Sequence, residues 1–225
     1  MKYPIGVQTF EKLRNEGYVY VDKTALVYKM AQEGSCYFLS RPRRFGKSLL
    51  LSTLKAYFEG KRDLFQGLAI AELETEWNAY PVLHLDLNAK SFSNIQNLYD
   101  LLNDQLTIYE QKYGCVPVDK SPEGRFRQLI RSARAKTGKD VVVLIDEYDK
   151  PLLDVLDTNM SVTVYGQQFL QEEHHRNILK GFYSVFKEAD RDLRFVLLTG
   201  VTKFSQVSVF SGFNQPADIS LDGRY

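Results

Sequence analysis

Four short apolar runs constrain the fold of this chain more than any other feature of its sequence. They lie at residues 36–39, 82–85, 141–145 and 195–198. The last two contain apolar residues only, which is typical of strands covered on both faces in a parallel sheet. The sequence therefore predicts four strands, two of which are buried in a parallel sheet.

Amphipathic stretches alternate with these runs. Apolar residues recur at helical spacing over residues 47–58, 94–113, 122–136 and 167–187. Strands that alternate with helices along a chain are typical of folds in which right-handed crossover helices pack on a parallel sheet. The sequence therefore predicts an α/β sandwich.

We expect one domain, because no internal repeat or low-complexity linker divides the chain. A prelude covers residues 1–35, the core covers residues 36–200, and a C-terminal extension covers residues 201–225. Within the prelude, residues 18–21 are a candidate for an extra strand.

The composition excludes several classes of protein. The 29 Lys and Arg residues nearly balance the 28 Asp and Glu residues, so the formal net charge of +1 gives no overall attraction to nucleic acid or membranes. No apolar run approaches the roughly 20 residues that a membrane-spanning helix needs. The two cysteines show no zinc-binding spacing. We expect a cytoplasmic protein with no membrane partner.

The segment that follows the first apolar run is a candidate phosphate-binding loop. Residues 40–48, here called the phosphate loop, read SRPRRFGKS and lead directly into a predicted helix. This is the context of a Walker A loop, in which backbone amides and the helix N-terminus surround the β-phosphate. Lys47 would reach the β and γ oxygens, and Ser48 would ligate magnesium. The expected nucleotide-binding residues are Arg43, Phe45, Gly46, Lys47, Ser48 and Leu49.

Arg41 departs from the general motif, which has a glycine at that position. A side chain is tolerable there only if the backbone does not need a positive φ, and Pro42 already restricts the preceding residue to extended geometry. The alternative interpretation is a loop that three arginines simply keep solvated.

The apolar run at residues 141–145 leads into Asp146 and Glu147, an arrangement typical of a Walker B motif. Asp146 would hold Mg²⁺ directly or through water, and Glu147 would polarise an attacking water. Ligand sites in open parallel sheets lie at the carboxyl ends of strands, so the two motifs support each other. Alternatively, the two carboxylates only cap a helix that begins near Pro151.

Further catalytic candidates come from the fourth run and from the phosphate loop. Thr199 is the first choice, and Thr202 the second, for a hydroxyl that contacts the γ-phosphate or the lytic water. One loop arginine, for which we take Arg44, would stabilise charge in the transition state, while the others pair with nearby carboxylates.

Five segments together resemble the predicted AAA-ATPase-like family, which is found mainly in bacteria. They are VDKT at 21–24, LSRPRRFGKS at 39–48, LIDEYD at 144–149, TGVTKFS at 199–205 and SGFN at 211–214. The family's own loop also lacks the first glycine. The resemblance implies a P-loop NTPase three-layer sandwich of the additional-strand type, with a mainly parallel sheet. Members usually continue into a restriction-endonuclease-like nuclease domain, so we expect this chain to be truncated relative to a longer protein.

The leading hypothesis is an ATP-binding domain that hydrolyses the β–γ bond with Mg²⁺. No guanine-reading NKxD motif is present, which favours adenine. The rival is a nucleotide-dependent switch or scaffold with little hydrolysis, which regulates a nuclease-like effector domain or a partner. Oligomers are possible, and nucleic acid would be a partner through a nuclease domain outside this chain.

A third hypothesis is a nucleic-acid-binding module. Residues 124–139 are basic, and Arg127, Arg131 and Arg134 share one helical face, which could contact nucleic-acid phosphates. No aromatic or base-reading pattern accompanies the arginines, so an ordinary solvated helix face is the preferred interpretation.

Overall fold

The computed structural model describes residues 2–92, 94–164, 166–203 and 216–225. Within these residues, five strands form one sheet in which all neighbours are parallel. They are β1 (Cys36–Ser40), β2 (Val82–Asp86), β3 (Val141–Asp146), β6 (Leu193–Gly200) and β7 (Ala217–Asp218). A separate antiparallel pair consists of β4 (Ser161–Val164) and β5 (Gln167–Leu170).

The helices alternate with these strands along the chain. In the described residues they are α1 (Phe10–Asn15), α2 (Thr24–Glu33), α3 (Lys47–Phe58), α4 (Ile70–Leu73), α5 (Gln96–Tyr113), α6 (Pro122–Thr137), α7 (Lys150–Leu153) and α8 (Gln171–Glu188). Short 3₁₀ turns cover Arg62–Phe65 and Asp190–Asp192.

Helices cover both faces of the sheet, which gives three layers. Successive side chains of a strand point to opposite faces, so β3 contributes Val143 to one core and Leu144 to the other. Helices α5, α6 and α8 pack on the first face, and α1 to α4 pack on the second. The α/β sandwich that the sequence predicts is confirmed.

The strand order is β2-β3-β6-β1-β7, which places β6 between β1 and β3. One strand therefore separates the strand before the phosphate loop from the strand that ends at Asp146. This is the additional-strand arrangement that the resemblance implies. Because all five strands run the same way, their carboxyl ends lie along one edge of the sheet, where ligands bind in such folds.

Two predicted elements differ from the structure. The predicted helix over residues 167–187 begins only at Gln171, because residues 167–170 pair with β4 after a turn in which Gly166 has a φ of 79°. Residues 18–21 form no strand, and Tyr18 makes only an isolated bridge with Lys2. Strand β7 escaped prediction because two residues are too few to show a period.

Candidate nucleotide-binding site

Both predicted motifs line one cavity at the carboxyl edge of the sheet. The cavity has a volume of about 1320 Å³. The motif residues in its wall are Arg43, Arg44, Gly46, Lys47, Ser48, Leu49, Asp146 and Glu147. A phosphate loop and an acidic pair that lie about a hundred residues apart in the sequence therefore face the same space.

The backbone of the phosphate loop accommodates a side chain at Arg41. Within residues 40–48, only Arg44 and Gly46 have positive φ, at 69° and 78°. The amide of Arg41 donates to the carbonyl oxygen of Gly200 at 3.1 Å, which continues the pairing of β1 with β6. The strained positions thus lie elsewhere in the loop, and a glycine is required at Gly46 rather than at Arg41.

The N-terminus of α3 is available to an anion. Gly46 is the residue before the helix, and no side chain caps the first turn. The first amide groups of a helix lack partners within the helix and carry the positive end of its dipole. A phosphate group at this point would accept hydrogen bonds from them.

Lys47 is almost fully buried, with 4% of its side chain exposed. Its ammonium donates to the carbonyl oxygens of Arg41 at 3.0 Å and Pro42 at 3.4 Å. It also forms an ion pair with Oε1 of Glu147 at 3.3 Å. The ammonium therefore links the phosphate loop directly to the acidic turn after β3.

Glu147 occupies a sharp turn at the end of β3, with a φ of 52°. Burial raises the pKa of its carboxyl group, and the neighbouring Lys47 opposes that rise only in part. Such a carboxyl group holds its proton more readily than an exposed glutamate, which is a property of general bases in enzymes.

Asp146 is held by two donors on one of its oxygens. Oδ1 accepts from the hydroxyl of Thr199 at 2.6 Å and from the amide of Glu147 at 3.1 Å. Thr199 is completely buried on β6 and does not line the cavity. Its hydroxyl is therefore placed on the carboxylate of Asp146, not on the open space that was expected to hold the γ-phosphate or lytic water.

The donor set fits Mg²⁺. Ser48 and Asp146 both line the cavity, and they offer one hydroxyl and one carboxylate. Mg²⁺ in nucleotide sites is usually bound by one or two carboxylates together with phosphate oxygens and water. In the described residues, no three His, Cys, Asp or Glu side chains gather into a metal-binding cluster.

The arginines of the phosphate loop differ in position. Arg43 and Arg44 are exposed and line the cavity, whereas Arg41 does not. Phe45, which was expected to contact the nucleotide, is 67% exposed and lies outside the cavity wall. Only its backbone is close to the amides of the helix N-terminus.

The structure reveals a buried carboxylate that the sequence analysis did not assign to the site. Oδ2 of Asp149 accepts hydrogen bonds from the amides of Val201 and Thr202 and from the hydroxyl of Thr202, at 3.0, 2.7 and 2.7 Å. Thr202, the second choice for a phosphate contact, thus has its hydroxyl on Asp149. The sequence signal for Asp149 was its position, three residues after Asp146.

The end of β2 extends the cavity beyond the two motifs. It contributes His84 and Asp86, and Asn88 follows. Asp86 lies opposite Asp146 in the register of β2 and β3. Burial lowers the pKa of His84, so its imidazole is neutral at pH 7. No sequence motif indicated these three residues.

The basic face of α6 is largely neutralised. Arg127 forms an ion pair with Glu188, and Arg134 forms ion pairs with Asp140 and Asp192. These contacts support the interpretation of an ordinary helix face over that of a nucleic-acid surface.

Comparison with known proteins identifies relatives of the chain. A family model described as a predicted AAA-ATPase matches residues 4–210. An uncharacterized protein in the vnfD 5′ region of Azotobacter chroococcum mcd 1 is 43% identical over 226 residues. That alignment covers 100% of this chain and 42% of the relative, so the chain spans less than half of the relative's length.

The helices in the described part of the chain are all too short or too polar to cross a bilayer. Of the segments that carried the family resemblance, residues 204–205 and 211–214 lie outside the described residues.

Proposed function

The chain belongs to the predicted AAA-ATPase family, and from this premise we propose that it binds ATP with Mg²⁺ and hydrolyses the β–γ bond. Membership supports nucleotide binding, and the geometry supports the finer assignment. The observation that carries the proposal is the 3.3 Å contact between Nζ of Lys47 and Oε1 of Glu147 in one cavity. A phosphate-binding cation and a candidate base are then in direct contact at the place where the γ-phosphate would bind.

The phosphate loop would hold the triphosphate. Amides at the start of α3, from Gly46 to Leu49, would donate to phosphate oxygens, and Lys47 would neutralise the β- and γ-phosphates. Arg44, which lines the cavity, would stabilise charge that develops on the γ-phosphate.

Ser48 and Asp146 would bind Mg²⁺, with Thr199 orienting the carboxylate of Asp146 from behind. When bound, the ion neutralises charge on the β and γ oxygens and fixes their orientation. The contact from Thr199 leaves one oxygen of Asp146 to the metal or to its water.

Glu147 would orient and deprotonate the attacking water. In the structure, its carboxylate is paired with Lys47. A γ-phosphate that takes over the ammonium would leave the carboxylate of Glu147 free to accept a hydrogen bond from water. Phosphate binding would thereby prepare the base.

The same ion pair supports the rival hypothesis of a nucleotide-dependent switch with little hydrolysis. If Glu147 stays paired with Lys47 after ATP enters, the chain would bind nucleotide without efficient turnover. A nuclease-like effector domain or a partner would then respond to the occupied state. Steady-state phosphate release, measured with and without DNA, separates the two hypotheses, because saturable ATP binding with no release favours the switch.

Two substitutions test the assignment of roles. Lys47→Ala should abolish ATP binding, because it removes the buried cation of the phosphate loop. Glu147→Gln should bind Mg-ATP at least as tightly as the wild type, because its side chain no longer competes with phosphate for the ammonium of Lys47. It should lower kcat by about 10² to 10⁴, the usual contribution of a general base. Isothermal titration calorimetry gives the Kd, and a coupled phosphate assay gives kcat.

Matched controls are Lys180→Ala and Glu173→Gln, which change exposed residues of α8. Both should behave as the wild type. A Glu147→Gln variant that turns over ATP at the wild-type rate would remove the role given to that carboxylate.

A further inference from the structure

Asp149 is a fully buried carboxylate without a basic partner. Its side chain is 0% exposed, and no Lys, Arg or His of the described residues forms an ion pair with it. The three hydrogen bonds of its side chain all reach Oδ2, whereas Oδ1 has no hydrogen-bond partner among the described atoms. Burying a carboxylate with neutral donors and one unsatisfied oxygen is costly. A contribution to stability therefore does not explain the residue well.

The three hydrogen bonds of Asp149 belong to a larger junction between two turns. The first turn covers residues 146–149 after β3, and the second covers residues 199–202 at the end of β6; together they are called the paired turns. The amide of Tyr148 donates to the carbonyl oxygen of Thr199 at 2.9 Å, and its hydroxyl donates to that of Thr202 at 3.0 Å. The contact between Thr199 and Asp146 closes the junction at its other end.

The paired turns are also attached to the phosphate loop. The amide of Arg41 donates to the carbonyl oxygen of Gly200, and the hydroxyl of Ser40 donates to that of Val201 at 3.0 Å. The second turn thus contacts the phosphate loop on one side and the turn that holds Glu147 on the other. Hydrogen bonds therefore connect the turn that holds Glu147 to the phosphate loop through the second turn.

Gly200 shows how closely the paired turns are packed. A Cβ atom at this position would lie 2.7 Å from Oδ1 of Asp149 and 2.5 Å from a ring carbon of Tyr148. Non-bonded contacts of a Cβ atom are essentially never this short, so a side chain at Gly200 would force Tyr148 or Asp149 to move.

We propose that Asp149 is a positioning residue for the proposed reaction. It clamps the amides of Val201 and Thr202 and so fixes Glu147 relative to the phosphate loop. The inference rests on the proposed function, since it assigns a purpose to the clamp in ATP hydrolysis. In the described residues, no hydrogen bond or ion pair joins Asp149 to Lys47, so loss of the clamp should affect turnover more than nucleotide affinity.

The test compares Asp149→Ala, Asp149→Asn and Thr202→Val. Asp149→Ala removes the acceptor, and we expect kcat to fall by roughly 10²-fold, the effect of a small displacement of a reacting group. The Kd of Mg-ATP should stay within about threefold, because the phosphate contacts remain. Asp149→Asn retains one oxygen at the Oδ2 position and should recover most of kcat. Thr202→Val removes one of the three donors, and its kcat should lie between those of Asp149→Ala and Asp149→Asn.

These outcomes separate positioning from a merely structural role. A purely structural role predicts that kcat, Kd and the unfolding temperature change together across the three variants. Asp149→Ala with wild-type kcat, or with losses of affinity equal to the losses of kcat, would overturn the inference.

A separate readout distinguishes failure of this inference from failure of the proposed function. If the wild type releases no phosphate, hydrolysis is wrong, and the clamp is judged by amide hydrogen exchange of residues 147–150 and 201–202. We expect Asp149→Ala to increase exchange in both segments and Asp149→Asn to restore protection. Increased exchange at residues 201–202 with no change at residues 147–150 would show that Asp149 does not fix the position of Glu147.

Discussion

Lys47 and Glu147 form a buried ion pair whose partners come from the two motifs of the site. Removing such charges from water is costly, and their attraction often only compensates that cost, so the pair is weak evidence for stability. Its value lies in geometry, because the carboxylate occupies a position next to the ammonium that phosphate would take. A polyanion that enters the loop would compete directly with Glu147.

The raised pKa of Glu147 predicts a pH dependence of stability. The pKa lies above the ordinary value of 4.5 because burial disfavours the ionised carboxylate, which Lys47 only partly offsets. The folded chain thus holds the proton more tightly than the unfolded chain does. The free energy of unfolding of the chain should fall as pH rises from below 4.5 through the raised pKa of Glu147. Above that pKa, the ionisation of Glu147 should cause no further loss.

Glu147→Gln lacks this titration. Relative to the wild type, the stability of the variant should increase across that acidic window and then stay constant up to neutral pH. Urea unfolding at several pH values measures the difference, with Glu173→Gln on the exposed side of α8 as the comparison. The predicted direction would be contradicted if the stability of the variant minus that of the wild type increased towards acidic pH.

Strand β6 is the element that connects the parts of the site. It pairs with β1 on one side and β3 on the other, and its last residues contact both the phosphate loop and Asp146. Helix α3 is the second such element, because its uncapped N-terminus points at the cavity while Leu51 and Leu54 anchor it in the core. The site is therefore held by regular elements whose packing limits movement.

Gly200→Ala tests how rigidly β6 is packed against the turn after β3. The added Cβ would lie within 2.7 Å of Tyr148 and Asp149, so we expect the free energy of unfolding to fall by roughly 1–3 kcal/mol, the usual effect of overpacking. Gly181→Ala on α8 is the control, since its Cβ would meet only Glu123 at 3.9 Å.

The control should behave in the opposite direction. Alanine is favoured over glycine inside a helix by about 1 kcal/mol, so Gly181→Ala should be slightly stabilising. Chemical denaturation of both variants gives the comparison. A Gly200→Ala variant as stable as Gly181→Ala would show that β6 is not closely packed against Tyr148 and Asp149.

The molecule as a whole places its cavity at one edge of a sheet that helices cover on both faces. The walls include residues 5–9, the phosphate loop, α3, and the ends of β2 and β3. A ligand bound there contacts segments that are distant in sequence and separate on unfolding. Ligand binding and global stability should therefore be coupled.

Mg-ATP at a hundredfold excess over its Kd should stabilise the native chain by about 2.7 kcal/mol. For a chain of this length, that corresponds to a rise in Tm of roughly 5–11 °C. A thermal-shift titration measures the effect, and Lys47→Ala should abolish it. Equal shifts in the wild type and Lys47→Ala would mean that nucleotide binds somewhere other than the phosphate loop.

Much of the fold was predictable because its signals are local. The buried runs that became β3 and β6 contain only apolar residues at their centres, and the helical spacing of residues 47–58 matches α3. Prediction failed where the signal was short or shared between structures. Strand β7 has two residues, and residues 167–170 pair with β4 although the predicted helix included them.

The candidate site residues that follow strands could be predicted from the sequence. The positions of Lys47, Asp146 and Glu147 after apolar runs predicted a common edge, since parallel strands end together. The side-chain partners were not readable. Thr199 faces Asp146 and Thr202 faces Asp149, whereas the sequence suggested that a hydroxyl at either position would face phosphate.

The amino-acid sequence by itself determined the alternation of strands and helices, the phosphate loop and the acidic turn, because each depends on residues that are neighbours in the chain. Only the tertiary structure decided that Lys47 pairs with Glu147 and that Asp149 clamps the turn after β6. Those contacts join residues that lie 52 to 100 positions apart. Strand order and packing set them, and a local pattern of residues contains no information about either.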